Sequence, residues 1–278
     1  MASAFTQPFK SSTTKTISFT SGKGGVGKTV LLSNIAIHMA RQGKKMLILD
    51  GDFAMANVDI VFGVRAKGTI HDVIFGKKSV EEIMMEVHPG IHLIPGGSGL
   101  YELQYMNKFQ KRALVDQISR VNKKFDFMLV DTAPGIDDNV LDLNSAAQEI
   151  CVVVTPDPSS LTDAYALIKV LNQRQKEERF SIICNQVSSE NDGLALFQKL
   201  SDVTAKFLSV GLDYKGYIPY DPDLSRAVRN QQLLSVSNVF APVNRLIMRL
   251  AENVCRAQEP NQAKGGIQFY WEQLLNLA

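Results

Sequence analysis

Two lysines and three aspartates stand where a phosphate-handling site would need them. Gly22, Gly27, Lys28 and Thr29 fit the pattern G-x4-G-K-[ST]. Glycines there let successive backbone N–H groups curl around phosphate oxygens; the lysine reaches the outer phosphates, and the hydroxyl ligates Mg²⁺. Lys23, Gly24, Gly25 and Val26 inside the loop, and Val30 just after it, complete the expected nucleotide contacts. A helix starting at Lys28 would add the positive end of its dipole. Asp50 and Asp52 in "LILDGDF" and Asp131 in "FMLVDTAPG" each follow an apolar run. Asp131 sits where a carboxylate holds Mg²⁺ through water, and the Pro and Gly after it suit a loop that responds to the γ-phosphate. An isolated aspartate at a strand end is more often a turn former or helix cap. It is the phosphate loop that gives these three their weight. Lys23 is harder to place, because the loop needs one lysine, and a second is ordinarily a solvated surface cation.

These residues need strands to carry them. "TISFTS" (16–21), "KMLILD" (45–50), "IHLIPG" (91–96), "FDFMLVDT" (125–132), "ICVVVT" (150–155), "SIICNQ" (181–186) and "YKGYIP", ending at Pro219, read as short apolar strands. Helix-length segments separate them, the first from Lys28 to about Arg41. Continuous apolar strands alternating with helices predict a mostly parallel sheet covered on both faces, a doubly wound α/β domain. The expected organisation is a flexible N-terminus (1–15), one domain (16–255), a polar linker "RAQEPNQAKGG" (256–266) and a C-terminal amphipathic helix (267–278).

Composition narrows the classes. The chain has 278 residues, 45% of them hydrophobic, enough for a full core. A net charge of +2 supplies no global field for nucleic acid. The three cysteines, Cys151, Cys184 and Cys255, are widely spaced, so neither a disulfide framework nor a thiolate metal site is expected, and a cytoplasmic setting fits. No signal peptide is read at the N-terminus, and no apolar run approaches the roughly 18 residues of a spanning helix.

The octapeptide "GKGGVGKT", with a lysine directly after its first glycine, resembles the deviant Walker A motif of the MinD/ParA family of ATPases. The resemblance implies a MinD-like P-loop NTPase fold, ATP and Mg²⁺ as cofactors, and an ATP-bound homodimer. It implies that Lys23 reaches across the dimer to the other subunit's nucleotide, like an arginine finger in trans, an effect on the order of 10³–10⁵ in rate. Hydrolysis would then be slow and conditional on dimerisation. "LDGDFAMANVDIVFGV" is similar to the family's switch I, with Asp52 positioning the attacking water; "DTAPGI" is similar to switch II. Lys23, Lys28 and Asp52 would be the catalytic residues, with Thr29, Asp50 and Asp131 on the metal. Asn185 and the Pro219–Asp221 turn would border the adenine. "TDAYALIKVLN" (162–172), "IPYDPDLSRAV" (218–228) and "GGIQFYW" resemble the flagellar branch, FlhG or FleN, which implies regulation of flagellar number or placement. Its partners would be a transcriptional activator such as FleQ or basal-body proteins. An FlhF-like GTPase is less expected, since residues 1–15 lack the DQAxxLR-type motif of many relatives. The helix 162–179 is a candidate contact surface, or a plain solvated face. Val30 replaces a threonine common in relatives and should face the sheet.

On a helical wheel, Ile267, Tyr270, Trp271, Leu274, Leu275, Leu277 and Ala278 fall within an arc of about 160°, with Phe269 outside it. Such a tail can meet the inner face of the cytoplasmic membrane or dock on the protein itself. It lacks the basic polar face common in membrane helices, so two tails on one dimer would bind lipid far better than one. Four rival readings remain. A ParA-type DNA-partitioning ATPase would need a basic surface, and "KFQKR" (108–112) is modest. An iron–sulfur carrier would need paired cysteines. A metabolic ligase would leave Lys23 and the tail unexplained. A non-hydrolysing nucleotide module would leave Lys23, Asp52 and Asp131 without work.

Overall fold

The computed structural model describes residues 14–52, 56–97, 117, 125–256, 270, 273 and 274. Eight strands form one sheet: β1 (Lys15–Thr20), β2 (Met46–Gly51), β3 (Met85–His88), β4 (Ile91–Ile94), β5 (Phe127–Thr132), β6 (Glu149–Val154), β7 (Arg179–Val187) and β8 (Gly211–Pro219). Their order across the sheet is β3-β4-β2-β5-β1-β6-β7-β8. Every neighbouring pair is parallel except β3–β4. All seven strands anticipated from the apolar runs form. β2, β5 and β6 are buried along their whole length, which is why their sequences read as unbroken apolar runs. The strand not anticipated is β3, "MEVH". It lies at the sheet edge, half-exposed, and its pairing to β4 is broken by a register shift between Glu86 and His88.

Among the described residues the helices of four residues or more are α1 (Lys28–Arg41), α2 (Val58–Val61), α3 (Ile70–Ile74), α4 (Val80–Ile83), α5 (Asp138–Ala146), α6 (Pro158–Gln175), α7 (Glu190–Phe207), α8 (Pro222–Arg229), α9 (Leu234–Ser237) and α10 (Pro242–Cys255). Adjacent residues of each strand face opposite sides. Ile17, Phe19, Ile48 and Leu129 pack with α1 and α10 on one face. On the other face, Leu47, Leu49, Met128 and Val130 pack with α3 to α5, and Val152, Val154 and Ile182 pack with α6 and α7. α1 begins at Lys28 and ends at Arg41, as expected. Val30, in its first turn, is half-buried, and Leu31 and Leu32 are the first apolar residues of the helix to be fully covered. Ser33, Asn34 and Ile37, three, four and seven positions on and so on the same side of the helix, are fully buried.

Of the tail, Tyr270, Gln273 and Leu274 are described. Tyr270 is fully buried in the cluster formed by β2, β5 and α3 to α5, and Leu274 packs against the same cluster. Ile267, Phe269, Trp271 and Leu275 lie outside the described residues, as do "KFQKR", Phe53–Met55, most of the N-terminus and the expected linker. No helix among the described residues is long and apolar enough to cross a membrane.

At the end of the sheet where the parallel strands begin, a buried ion network ties four strands together. Glu149 on β6 accepts from Lys15 on β1, Ser181 on β7 and Lys215 on β8. Lys215 also pairs with Asp213 at 2.8 Å.

Candidate functional site

The sites of interest all lie at the opposite end, where the parallel strands finish. In doubly wound sheets, ligands bind outside the carboxyl ends of the strands. β1 runs into the glycine loop. Gly25 (φ 79°) and Gly27 (φ 86°) adopt left-handed backbone, open to glycine at no steric cost. Gly22 is required for a different reason: a Cβ there would lie 2.2 Å from the Asp163 carbonyl of α6. The loop therefore rests directly on the first turns of α6. Gly27 caps α1, whose first N–H groups face outward at the loop.

Lys28 is buried, and its Nζ lies 2.8 Å from Asp131 Oδ1 at the end of β5. The Thr29 hydroxyl donates to the other carboxylate oxygen, Oδ2, at 2.6 Å. A cation, a hydroxyl and a carboxylate thus converge beside the glycine loop. An alkoxy oxygen next to one carboxylate is the hard-oxygen set that Mg²⁺ takes when phosphates supply the remaining ligands. These residues fit the nucleotide and metal read from the sequence. Gly135, in the loop after Asp131, donates from its N–H to the Ser21 carbonyl at 2.9 Å, joining that loop to the phosphate loop.

Asp50 ends β2 directly beside Asp131, its partner in register on β5. Its Oδ2 accepts from the N–H groups of Asn57 and Val58, and its Oδ1 from that of Asp52. Burial, with a smaller push from the Asp131 charge, lifts its pKa to about 7, against the pull of those N–H bonds. In this arrangement Asp50 organises the turn after β2. Asp52 follows it, nearly buried.

Lys23 stands apart from this cluster. Its Nζ is bonded at 2.6 Å to Asp157 Oδ2 and at 2.6 Å to the Ser159 hydroxyl, both in the first turn of α6. The contact is solvent-exposed, and the Lys23 bond, with Ser159 behind it, holds the Asp157 carboxyl down to about 2. Asp157 and Ser159 were not read from the sequence. "DPSS" announces a helix start with Pro at its first position, but nothing local links it to a lysine 134 positions away.

Asn185 donates from Nδ2 to the Val26 carbonyl at 2.7 Å and so holds the phosphate loop from β7. Gln186, next along, has φ 56°, and the β7–β8 register shifts there. The bulge re-aims Asn185 toward the loop. Pro219 ends β8 beside Val187, and Asp221 caps α8 through Leu224 N–H at 2.8 Å. The candidate contact helix is α6, with Ala164, Leu167, Ile168 and Leu171 buried, and with Lys169 and Arg174 outward.

Cys151 packs with α1's face of the sheet and Cys184 with α7's, so the two cannot ligate one cluster. Among the described residues, no group of three or more His, Cys, Asp or Glu is placed to hold a metal ion by itself.

A family model described as an AAA domain matches residues 14–183. The chain is 36% identical over 259 residues to the antiactivator FleN of Pseudomonas aeruginosa, covering 93% of this chain and 92% of that one. This chain belongs to the MinD/ParA family, in its flagellar FlhG/FleN branch. A flagellum site-determining protein, YlxH of Helicobacter pylori, is 36% identical over 80% of this chain and 75% of its own length. Among solved structures, the MinC:MinD cell division protein complex of Aquifex aeolicus matches with a TM-score of 0.69 at 25% identity, covering 88% of this chain and 98% of that one. MinD from Pyrococcus horikoshii complexed with Mg-ADP matches with a TM-score of 0.69 at 27% identity, covering 87% and 96%. The family is one of P-loop ATPases, and in this chain Lys28, Thr29 and Asp131 converge beside the glycine loop.

Proposed function

We propose that the protein is an ATP-hydrolysing switch that passes from monomer to ATP-bound dimer and regulates flagellar number or placement. The observation that carries this reading is the separation of the two loop lysines. Lys28 is buried against Asp131, inside its own phosphate site, while Lys23 is exposed and held by α6. A lysine with no role in its own cradle is available to a second subunit's phosphates. In this reading Lys28 and the loop N–H groups bind the phosphates. Thr29 and Asp131, with Asp50 behind them, would hold Mg²⁺, which would supply positive charge beside the phosphates. Asp52 orients the attacking water, and Lys23, released from Asp157, supplies positive charge in trans. Asn185, Pro219 and Asp221 border the base.

The names of the P. aeruginosa and H. pylori relatives, an antiactivator and a flagellum site-determining protein, support the flagellar output. They favour as partners a transcriptional activator of the FleQ type or basal-body proteins. The amphipathic tail supports a peripheral position on the inner face of the cytoplasmic membrane. Burial of Tyr270 supports a docked state of that tail, so lipid contact would require its release, and the ATP dimer is where that release belongs.

The test is mass by light scattering with ADP and with a non-hydrolysable ATP analogue, alongside turnover of wild type and Lys23→Ala. The expected result is a dimer only with the analogue, and a variant that still binds nucleotide but has lost turnover by on the order of 10³. A protein that stays monomeric with the analogue, or a Lys23→Ala variant at wild-type rate, would overturn the reading.

A further inference from the structure

The face of the sheet covered by α1 and α10 carries a feature that the nucleotide chemistry does not use. Between the last turn of α1, the turn 238–241 and the start of α10 lies a groove of about 410 Å³. Arg41, Arg245 and Met248 line it together with Phe240, and among the described residues no carboxylate does. Phe240 is 96% exposed, the most exposed large apolar side chain among the described residues. Val236, Val239 and Met248 near it are each between 43 and 48% exposed. An aromatic tip, a methionine and arginines around a concavity are what protein interfaces concentrate.

The groove is held rigid from below. Asn34 Oδ1 accepts from Ser235 N–H at 2.9 Å, and the Ser235 hydroxyl donates to Asn244 Oδ1 at 2.8 Å. Asn244 Nδ2 donates to the Asn238 carbonyl at 2.7 Å, and Arg41 Nη2 to the Ser235 carbonyl at 2.6 Å. A buried polar network of this kind fixes one arrangement, so the turn carrying Phe240 is presented rather than left loose. The groove lies at the far end of α1 from the phosphate loop, about 20 Å along the helix axis. Tyr270 packs on the opposite face of the sheet, so neither the active site nor the tail accounts for it.

We propose that this groove docks a protein partner presenting one large apolar side chain on an acidic segment. Charge decides the chemistry: with guanidinium groups and no carboxylate among the described lining residues, a segment rich in Glu or Asp is favoured and a basic one repelled. The concavity decides against a lipid surface, because a membrane would engage Phe240 alone and leave the groove empty. The inference goes beyond the ATPase reading and does not depend on it.

The test uses the full chain and fluorescein-labelled peptides of about a dozen residues. Each carries a central Leu-Phe pair, flanked by Glu in one set and Lys in the other. Fluorescence polarisation is read for wild type, Phe240→Ser and Arg245→Glu. The expected result is binding of the Glu peptide only, weakened about tenfold or more by either substitution and by added salt, with Arg245→Glu gaining affinity for the Lys peptide. Equal binding of both peptides, or binding unchanged in both variants, overturns the proposal. So does Phe240-dependent binding to phosphatidylserine vesicles without binding of the Glu peptide. Nucleotide-dependent mass and ATP turnover are expected to be unchanged in both variants, which separates failure here from failure of the switch itself.

Discussion

Replacing Lys28 by methionine tests how much its bond to Asp131 contributes to the stability of the fold. The two groups are 2.8 Å apart, with the lysine side chain 8% exposed and the aspartate 0%. Removing one partner of a buried pair leaves an uncompensated charge and costs about 3–5 kcal/mol. The Thr29 hydroxyl still donates to Oδ2, so the lower end, about 3 kcal/mol, applies here. For a chain of this size that corresponds to a fall in Tm of about 6–12 °C. Asp131→Asn should cost less, because the long lysine stem can carry its ammonium toward water. The double variant Lys28→Met/Asp131→Asn buries two neutral groups and should recover about 2 kcal/mol relative to the sum of the singles. The assay is thermal and denaturant unfolding of all four proteins without nucleotide, since ligand binding would add its own stabilisation. All three variants should lose ATP turnover, so stability and chemistry separate cleanly. A Lys28→Met variant melting within about 1 °C of wild type, or singles that simply add, would refute the argument.

Gly22→Ala should keep the fold but lose nucleotide binding, because its Cβ would meet the α6 backbone at 2.2 Å and push the loop away; isothermal titration with ATP reads this, and wild-type affinity would contradict it. Asp50 is raised from 3.8 to about 7, so the folded protein holds that proton more tightly than the unfolded chain does. Its contribution is present below pH 3.8 and is lost as pH rises toward about 7. Asp50→Asn should therefore gain stability relative to wild type across that window in denaturant titrations, and a pH-independent difference would contradict the assignment. Tyr270→Ala should cost about 3 kcal/mol in unfolding experiments, the scale of removing a buried aromatic, whereas an unchanged midpoint would mean the tail adds nothing to the domain.

The sheet was legible because strands buried on both faces must be apolar throughout, as β2, β5 and β6 are. β3 was not, because an edge strand of four half-exposed residues carries no such run. The phosphate loop was legible because its chemistry sits within eight consecutive residues. The Lys23–Asp157 pair was not, because tertiary folding alone brings together residues so far apart in sequence. Asn185 was read as a border of the base; the bulge at Gln186 also gives it the loop's Val26 carbonyl, which no local pattern announces.

The two rims of the sheet have a consequence for a protein that would work crowded onto one spot of a cell. Unpaired strand edges invite annealing between neighbouring molecules, and the danger grows with local concentration. β3 is short and kinked by its register shift, a poor template for another strand. β8 is long, but it turns a charged Lys215 inward to Glu149 and bends at Gly216, where the β7–β8 register slips. A foreign strand adding there would meet a bent ladder on a rim already committed to its own ions. The ion cluster that braces the base of the sheet thus also makes β8 a poor template for a foreign strand.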